Sequence, residues 1–267
     1  MARPVTEDAG HALARAFTAS DWRPLYALAD ALEAEIEALA RPAARHEVSH
    51  VKLRWWHEEA ARLGDGSPRH PLTRGLAGLG LEGATVAPVL QAALAVSERR
   101  LAGHVPATLP DLEQDLAATV ALGGRLAALD RPLDVQARAA ALSVAIGLVT
   151  VATTVQPAAA VGDLRLPLGP LDAAGVAPDD LAAEPLPDSV QPLVRELLAR
   201  GVALAGAAAP LPAEDGRRLR TVTVEAALAA RRARRLLRSA TLAEAAPTRL
   251  GLLKDLVCAW RVAARAP

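Results

Sequence analysis

Aromatic residues are scarce in this chain: four tryptophans, one tyrosine and one phenylalanine in 267 residues. The apolar share is nonetheless 52% and is carried mostly by Ala, Leu and Val. Ala and Leu favour helix, and the aromatic strand-formers are nearly missing, so a β-rich fold is excluded. Cysteine is down to Cys258 alone. No intrachain disulfide can form, which fits a reducing compartment. Neither sign of charge is in excess, with thirty basic and thirty acidic side chains. Bulk attraction to nucleic acid or to an anionic membrane is therefore not indicated. Lysine is limited to Lys52 and Lys254, a trait of composition and not of function. The stretch Met1 to Gly10 carries Glu7 and Asp8 and lacks the apolar core of a secretory signal, so the expected location is cytoplasmic.

Charge is also missing along one long internal run, from Ala139 to Gly162. Such a run is a candidate membrane span. Its content of Ala, Ser and Thr, the Gln156-Pro157 interruption and the lack of flanking aromatic anchors point instead to a buried central helix. Twenty prolines divide the chain into helix-length pieces. Ser20-Asp21 ahead of Pro24 predicts a helix start, with the helix running to about Ala40. A second helix is predicted from Glu47 to Leu63, and others over 86–102, 110–129, 133–155, 188–207, 214–239 and 248–264. The Pro-, Gly- and Asp-rich stretch between Pro157 and Pro187 reads as loop. No strand pattern or fixed-period repeat is present. The expectation is one all-α domain over 1–267 with no transmembrane span.

Two segments carry more information than composition. The first is Lys52-Leu53-Arg54-Trp55-Trp56-His57-Glu58-Glu59, followed by Gly66-Ser67-Pro68-Arg69-His70-Pro71-Leu72. The second is Gly162-Asp163-Leu164-Arg165-Leu166-Pro167, then Leu171 and Gly175-Val176. Together they resemble the Trp-Trp and G-R-x-Y-L-P segments of the squalene/phytoene synthase family, which joins two prenyl diphosphates head to head. The resemblance implies an isoprenoid-synthase-like helical bundle around a central cavity. It gives Trp55, Trp56, His70 and Pro71 structural roles. Adjacent helix positions point about 100° apart, so the two indoles are not expected to share one contact, and one of them should be well buried.

The resemblance further implies two D-x-x-x-D motifs on facing helices, holding Mg²⁺ against a diphosphate. Glu33 and Glu37, with Asp30 on the same face, are the candidate first motif. Two alternatives stay open: a solvated acidic face with Glu37 near Arg41, and a register in which Glu35 matches an acidic residue of non-catalytic relatives. The second motif should fall at Thr154 and Ala158, with its upstream Asn and Arg at Thr150 and Thr153. No Asp or Glu occurs between Asp134 and Asp163, and Arg165 replaces the family's Tyr. By the resemblance, Thr150, Thr154 and Arg165 are cavity positions that could bind a ligand.

His46-Glu47-Val48-Ser49-His50 matches the zinc pattern H-E-x-x-H. It sits near a helix start, in what the resemblance makes an interhelix connection, and Leu53 and Trp56 replace the Gly and third His of the longer pattern. His57 and His70 read as structural, and Cys258 as a buried thiol. Arg231, Arg234, Arg235 and Arg238 share a helical face that could dock phosphate, lipid headgroups or an acidic partner. The alternative is a solvated face offset by Glu225 and Glu244.

The expected function follows from the lost acidic motif. The chain resembles a catalytically degenerate branch of the family, like its non-catalytic complex I assembly relatives, acting as a binding or assembly protein. The alternative is a divergent prenyltransferase condensing farnesyl or geranylgeranyl diphosphates with Mg²⁺ on Glu33 and Glu37. A zinc hydrolase through His46, Glu47 and His50 is the outsider. No cofactor is expected, and Mg²⁺ only if the protein is active. The expected partners are an isoprenoid or neutral lipid, or another protein, with peripheral membrane contact and no nucleic acid.

Overall fold

The computed structural model describes residues 9–41, 46–183, 185–207, 211–239 and 249–265. Thirteen α-helices make up this part, and no strand occurs among the described residues. They are α1 (Ala9–Ala16), α2 (Arg23–Leu39), α3 (His46–Gly64), α4 (Pro71–Gly78), α5 (Gly83–Leu101), α6 (Leu109–Thr119) and α7 (Leu122–Ala127). Then follow α8 (Leu133–Thr153), α9 (Val155–Ala159), α10 (Leu168–Ala173), α11 (Gln191–Gly206), α12 (Ala213–Arg238) and α13 (Arg249–Ala264). The fold is a single all-α domain.

The charge-free run becomes α8, whose twelve buried residues lie on all its sides. By length and mean hydropathy (1.7) it could cross a membrane, yet 67% of that window is buried inside the protein. A helix apolar all round belongs in a core. Here α8 packs against α6, α11 and α12 and forms one wall of the central cavity. Across the cavity stands α2, which buries Leu25, Tyr26, Ala29, Leu32, Ile36 and Leu39. That spacing of three and four residues is an amphipathic stripe.

Several boundaries differ from the sequence expectation. Ser20 and Asp21 lie in a 3₁₀ turn, and Trp22 is the residue that precedes α2. The predicted helix over 110–129 is two helices, because Ala121 takes a left-handed φ of 52°. A non-glycine residue there costs roughly 1–2 kcal/mol, and no Gly or Pro stands at 120–121 to announce it. The stretch read as loop holds α9, α10 and a 3₁₀ turn at Pro178–Ala182. Helices α1 and α4 were not predicted.

The Trp-Trp segment builds the corner between α3 and α4. Trp56 is buried at 3% exposure, and Trp55 is 38% exposed. The expectation that the two indoles share no contact is corrected: their centroids lie 5.3 Å apart, edge to face. Both also meet the same histidine, His70, at 5.6 Å and 4.7 Å. The long side chains close the gap that their Cβ directions open, and an edge-to-face contact needs no parallel faces. His70 caps α4 by accepting from the Leu72 N–H at 3.3 Å, and Pro71 occupies the first turn. Glu59, fully buried, ties the corner together. One oxygen accepts from the Arg69 and His70 N–H groups, both at 2.8 Å, and from the Thr73 hydroxyl. The other accepts from Arg62 Nε at 3.0 Å. Burial favours the neutral carboxyl, but these donors outweigh it and hold Glu59 at a pKa of about 2.

Candidate functional site

The cavity between α2 and α8 has a volume of about 170 Å³. A second chamber of about 260 Å³ adjoins it between α1, α8, α12 and α13. His11, Ile146, Thr150 and Glu225 line both chambers. The His11–Glu225 pair, 3.0 Å from Nδ1 to carboxylate, stands at their boundary.

Asp30, Glu33 and Glu37 are not a solvated acidic face, because each is half-buried and turned to partners inside the protein. Glu35 is the member of this run that is exposed. Asp30 is paired with Arg15 of α1 and stands 3.5 Å from His11 Nε2. Hydrogen bonds donated to Asp30 and then to Glu225 raise the His11 imidazole to about 10, against the effect of burial. It is a cation at neutral pH. Glu33 accepts from the Ala121 N–H at 3.2 Å and the Leu122 N–H at 3.1 Å, one on each oxygen. These bonds hold the left-handed turn and cap α7. Burial pushes the Glu33 carboxyl up to about 8 although the two amides pull it down. Glu37 is bridged by Arg165 at 2.8 Å. Burial opposes its charge, but Arg165, Arg100 and Arg41 bring its carboxyl below the usual range. The Glu37–Arg41 proximity read from the sequence is thus a minor part of its surroundings.

The segment after α9 completes the network. Gly162 has a φ of 75°, which turns the chain back toward α5. Asp163 then accepts from Arg100 at 2.9 Å and from Arg165 at 2.7 and 2.9 Å. Arg100, Asp163, Arg165 and Glu37 form a chain of alternating charge along one edge of the cavity. Arg165, standing where the family has Tyr, contributes a fixed cation beside Glu37.

On the facing wall, threonines of α8 and its C-terminal end stand where the resemblance calls for Asn (Thr150), Arg (Thr153) and Asp (Thr154), and Ala158 stands at the second Asp position. Thr150 lines the cavity and donates to Ile146 C=O at 3.0 Å. Thr153 donates to Val149 C=O at 2.9 Å, and Thr154 to Thr150 C=O at 2.8 Å. Thr154 lies outside the main chamber, in a crevice beside Arg165. These residues do not fit a Mg²⁺ ion held between two acidic helices. The α2 carboxylates already have cationic or amide partners, and the α8 oxygens are neutral and bonded within their own helix. Among the described residues, no three His, Cys, Asp or Glu side chains gather into a metal-binding group.

His46 to His50 forms the first turn of α3 and not a connection between helices. The His46 side chain lies outside the described residues, and Glu47 and His50 are exposed. His57 stands 3.6 Å from Glu98. In the arginine cluster, Arg231 pairs with Asp255 at 2.6 Å. Glu225 pairs with His11, and Glu244 lies outside the described residues. His11, Arg15, Arg100 and Glu225 were missed by sequence reasoning. They belong to no quoted motif, and three of the four lie far in sequence from the positions they serve.

Two comparisons with known proteins agree with this geometry. The family model described as squalene/phytoene synthase matches residues 6–250. The crystal structure of a dehydrosqualene synthase in complex with ligand superposes with a TM-score of 0.73 at 16% identity. It covers 96% of this chain and 92% of that one. No curated protein matches in sequence.

Proposed function

Since the chain belongs to the squalene/phytoene synthase family, we propose that it is a non-catalytic member whose cavity holds an isoprenoid, a neutral lipid or a partner's side chain. One observation carries this reading: Asp30, Glu33 and Glu37 of α2, in or beside the cavity, already have partners within the protein. Asp30 has Arg15 and His11, Glu33 has the α7 amides, and Glu37 has Arg165. A diphosphate carries about three negative charges near neutral pH and needs matched cations where water is excluded. Metal ions cannot supply them until those internal partners are displaced. The α8 wall offers only Thr hydroxyls and apolar side chains. Loss of a single well-placed charge stabiliser costs roughly 10²- to 10³-fold in turnover. The work left to the scaffold is binding or assembly, in the cytoplasm and without a cofactor.

The test is incubation of the pure protein with radiolabelled farnesyl and geranylgeranyl diphosphate, Mg²⁺ or Mn²⁺, and NADPH. No presqualene diphosphate, squalene or phytoene is expected above a Glu33→Ala/Glu37→Ala control. Condensation product that depends on Glu33 and Glu37 would instead establish a divergent prenyltransferase.

A further inference from the structure

Helix α13 has two unlike faces. Its inner face packs on α1 and α12: Ala259 is fully buried and Asp255 pairs with Arg231. Its outer face carries Leu250, Leu253, Leu256, Val257 and Trp260, with Leu252 at the margin that meets the second chamber, each between 40% and 61% exposed. These six are half of the large apolar side chains that stand exposed among the described residues. Leu253, Val257 and Trp260 recur at intervals of four and three and form one stripe. A helix apolar on its outer side calls for cover.

The rim of the stripe says what the cover is. Lys254 and Arg261 are exposed on the same helix, Arg265 is exposed just past its end, and Arg234, Arg235 and Arg238 are exposed on the last turns of α12. The one acid of α13, Asp255, is turned inward. The thirty-to-thirty balance of the whole chain therefore hides a local excess of positive charge. An apolar stripe with a Trp and a basic rim suits a helix lying in a membrane interface. A second copy in a twofold contact would set this rim against its own cations. We propose that α13 docks flat on an anionic lipid surface, with Leu253, Val257 and Trp260 in the apolar layer and Lys254 and Arg261 at the headgroups.

Docking there has a consequence for the cavity. Leu252 of α13 lines the 260 Å³ chamber together with Arg232 and Arg235. The chamber thus reaches the helix that rests on lipid, and an apolar molecule could pass from the bilayer to the cavity. That last step rests on the binding function proposed above, whereas the docking itself does not.

Co-sedimentation of the full chain with vesicles of phosphatidylglycerol and phosphatidylcholine tests the docking, with phosphatidylcholine alone as comparison. The protein is expected to pellet with the anionic vesicles, to be released by high salt, and to show blue-shifted Trp emission when bound. Leu253→Glu/Trp260→Glu should bind at least ~10-fold more weakly. Lys254→Gln/Arg261→Gln should lose roughly five-fold per cation removed. Leu253 and Trp260 are 56% and 61% exposed, so the fold should survive, as circular dichroism would verify. No pelleting of the wild type at low salt overturns the proposal, and so does equal pelleting of the Leu253→Glu/Trp260→Glu variant. A wild-type dimer that this variant dissociates, without vesicle binding, also overturns it and makes a second copy the occupant. Vesicle binding is read without turnover, so it fails or holds independently of the condensation assay.

Discussion

Glu59 is fully buried and Glu33 half-buried, and their carboxyls move in opposite directions, to about 2 and to about 8. Glu59 sits in the α3–α4 corner with two backbone amides, a hydroxyl and a guanidinium around it. Glu33 sits at the cavity with two amides and the negative charges of Glu225 and Asp30 nearby. Burial alone does not decide the charge of a carboxyl; the number and sign of its neighbours do. The corner spends its glutamate on structure and keeps it ionised. The cavity holds a carboxyl that is mostly protonated at neutral pH, a poor start for gripping a divalent cation.

The comparison breaks most visibly at the corner. Glu59→Ala should cost about 3–5 kcal/mol in urea unfolding, because it leaves two part-buried amides and the buried Thr73 hydroxyl without their acceptor and takes from Arg62 its buried partner. Trp56→Ala should cost about 3–5 kcal/mol and Trp55→Ala about 1 kcal/mol or less, since only Trp56 is deeply buried. Equal losses for the two would remove the distinction between them. The acid limb follows from the depressed Glu59 carboxyl. Its folded value is below the ordinary 4.5, so its contribution is present above 4.5 and fades as pH falls towards 2. About 3 kcal/mol of stability should be lost across that window, and an unfolding midpoint flat between those limits would contradict it.

The corner was legible in the sequence because its residues are contiguous: Trp55, Trp56, His70 and Pro71 all fall within one short stretch. What stayed hidden is how a single histidine ring receives both indoles. The long helices were legible from apolar spacing and from the charge-free run of α8. The break at Ala121 was not, since it is held by Glu33, nearly ninety positions upstream. The absence of acid on α8 could be read directly. The internal partners of Asp30 and Glu37 could not, because His11, Arg15 and Arg165 reach α2 only through tertiary packing.

The Glu33 effect is the most discriminating, because it reads the environment of that carboxyl through its sign. The Glu33 carboxyl is raised from 4.5 to about 8. Its neutral form is the one the fold favours, so its contribution to stability is full below 4.5 and is lost as pH rises through 8. Glu33→Gln removes that titration. Below 4.5 the variant should be the less stable protein, by about 1 kcal/mol, because its amide nitrogen meets a backbone N–H where an oxygen accepted one. Above 8 the wild type carries a buried charge and the variant does not. The order should therefore reverse, by no more than a few kcal/mol. Taking the difference between the two proteins at each pH cancels the titration of His11 and of every other shared group. Urea midpoints that run parallel across the range would mean that Glu33 titrates as it does in water, and the cavity would then hold a carboxylate free to take a metal.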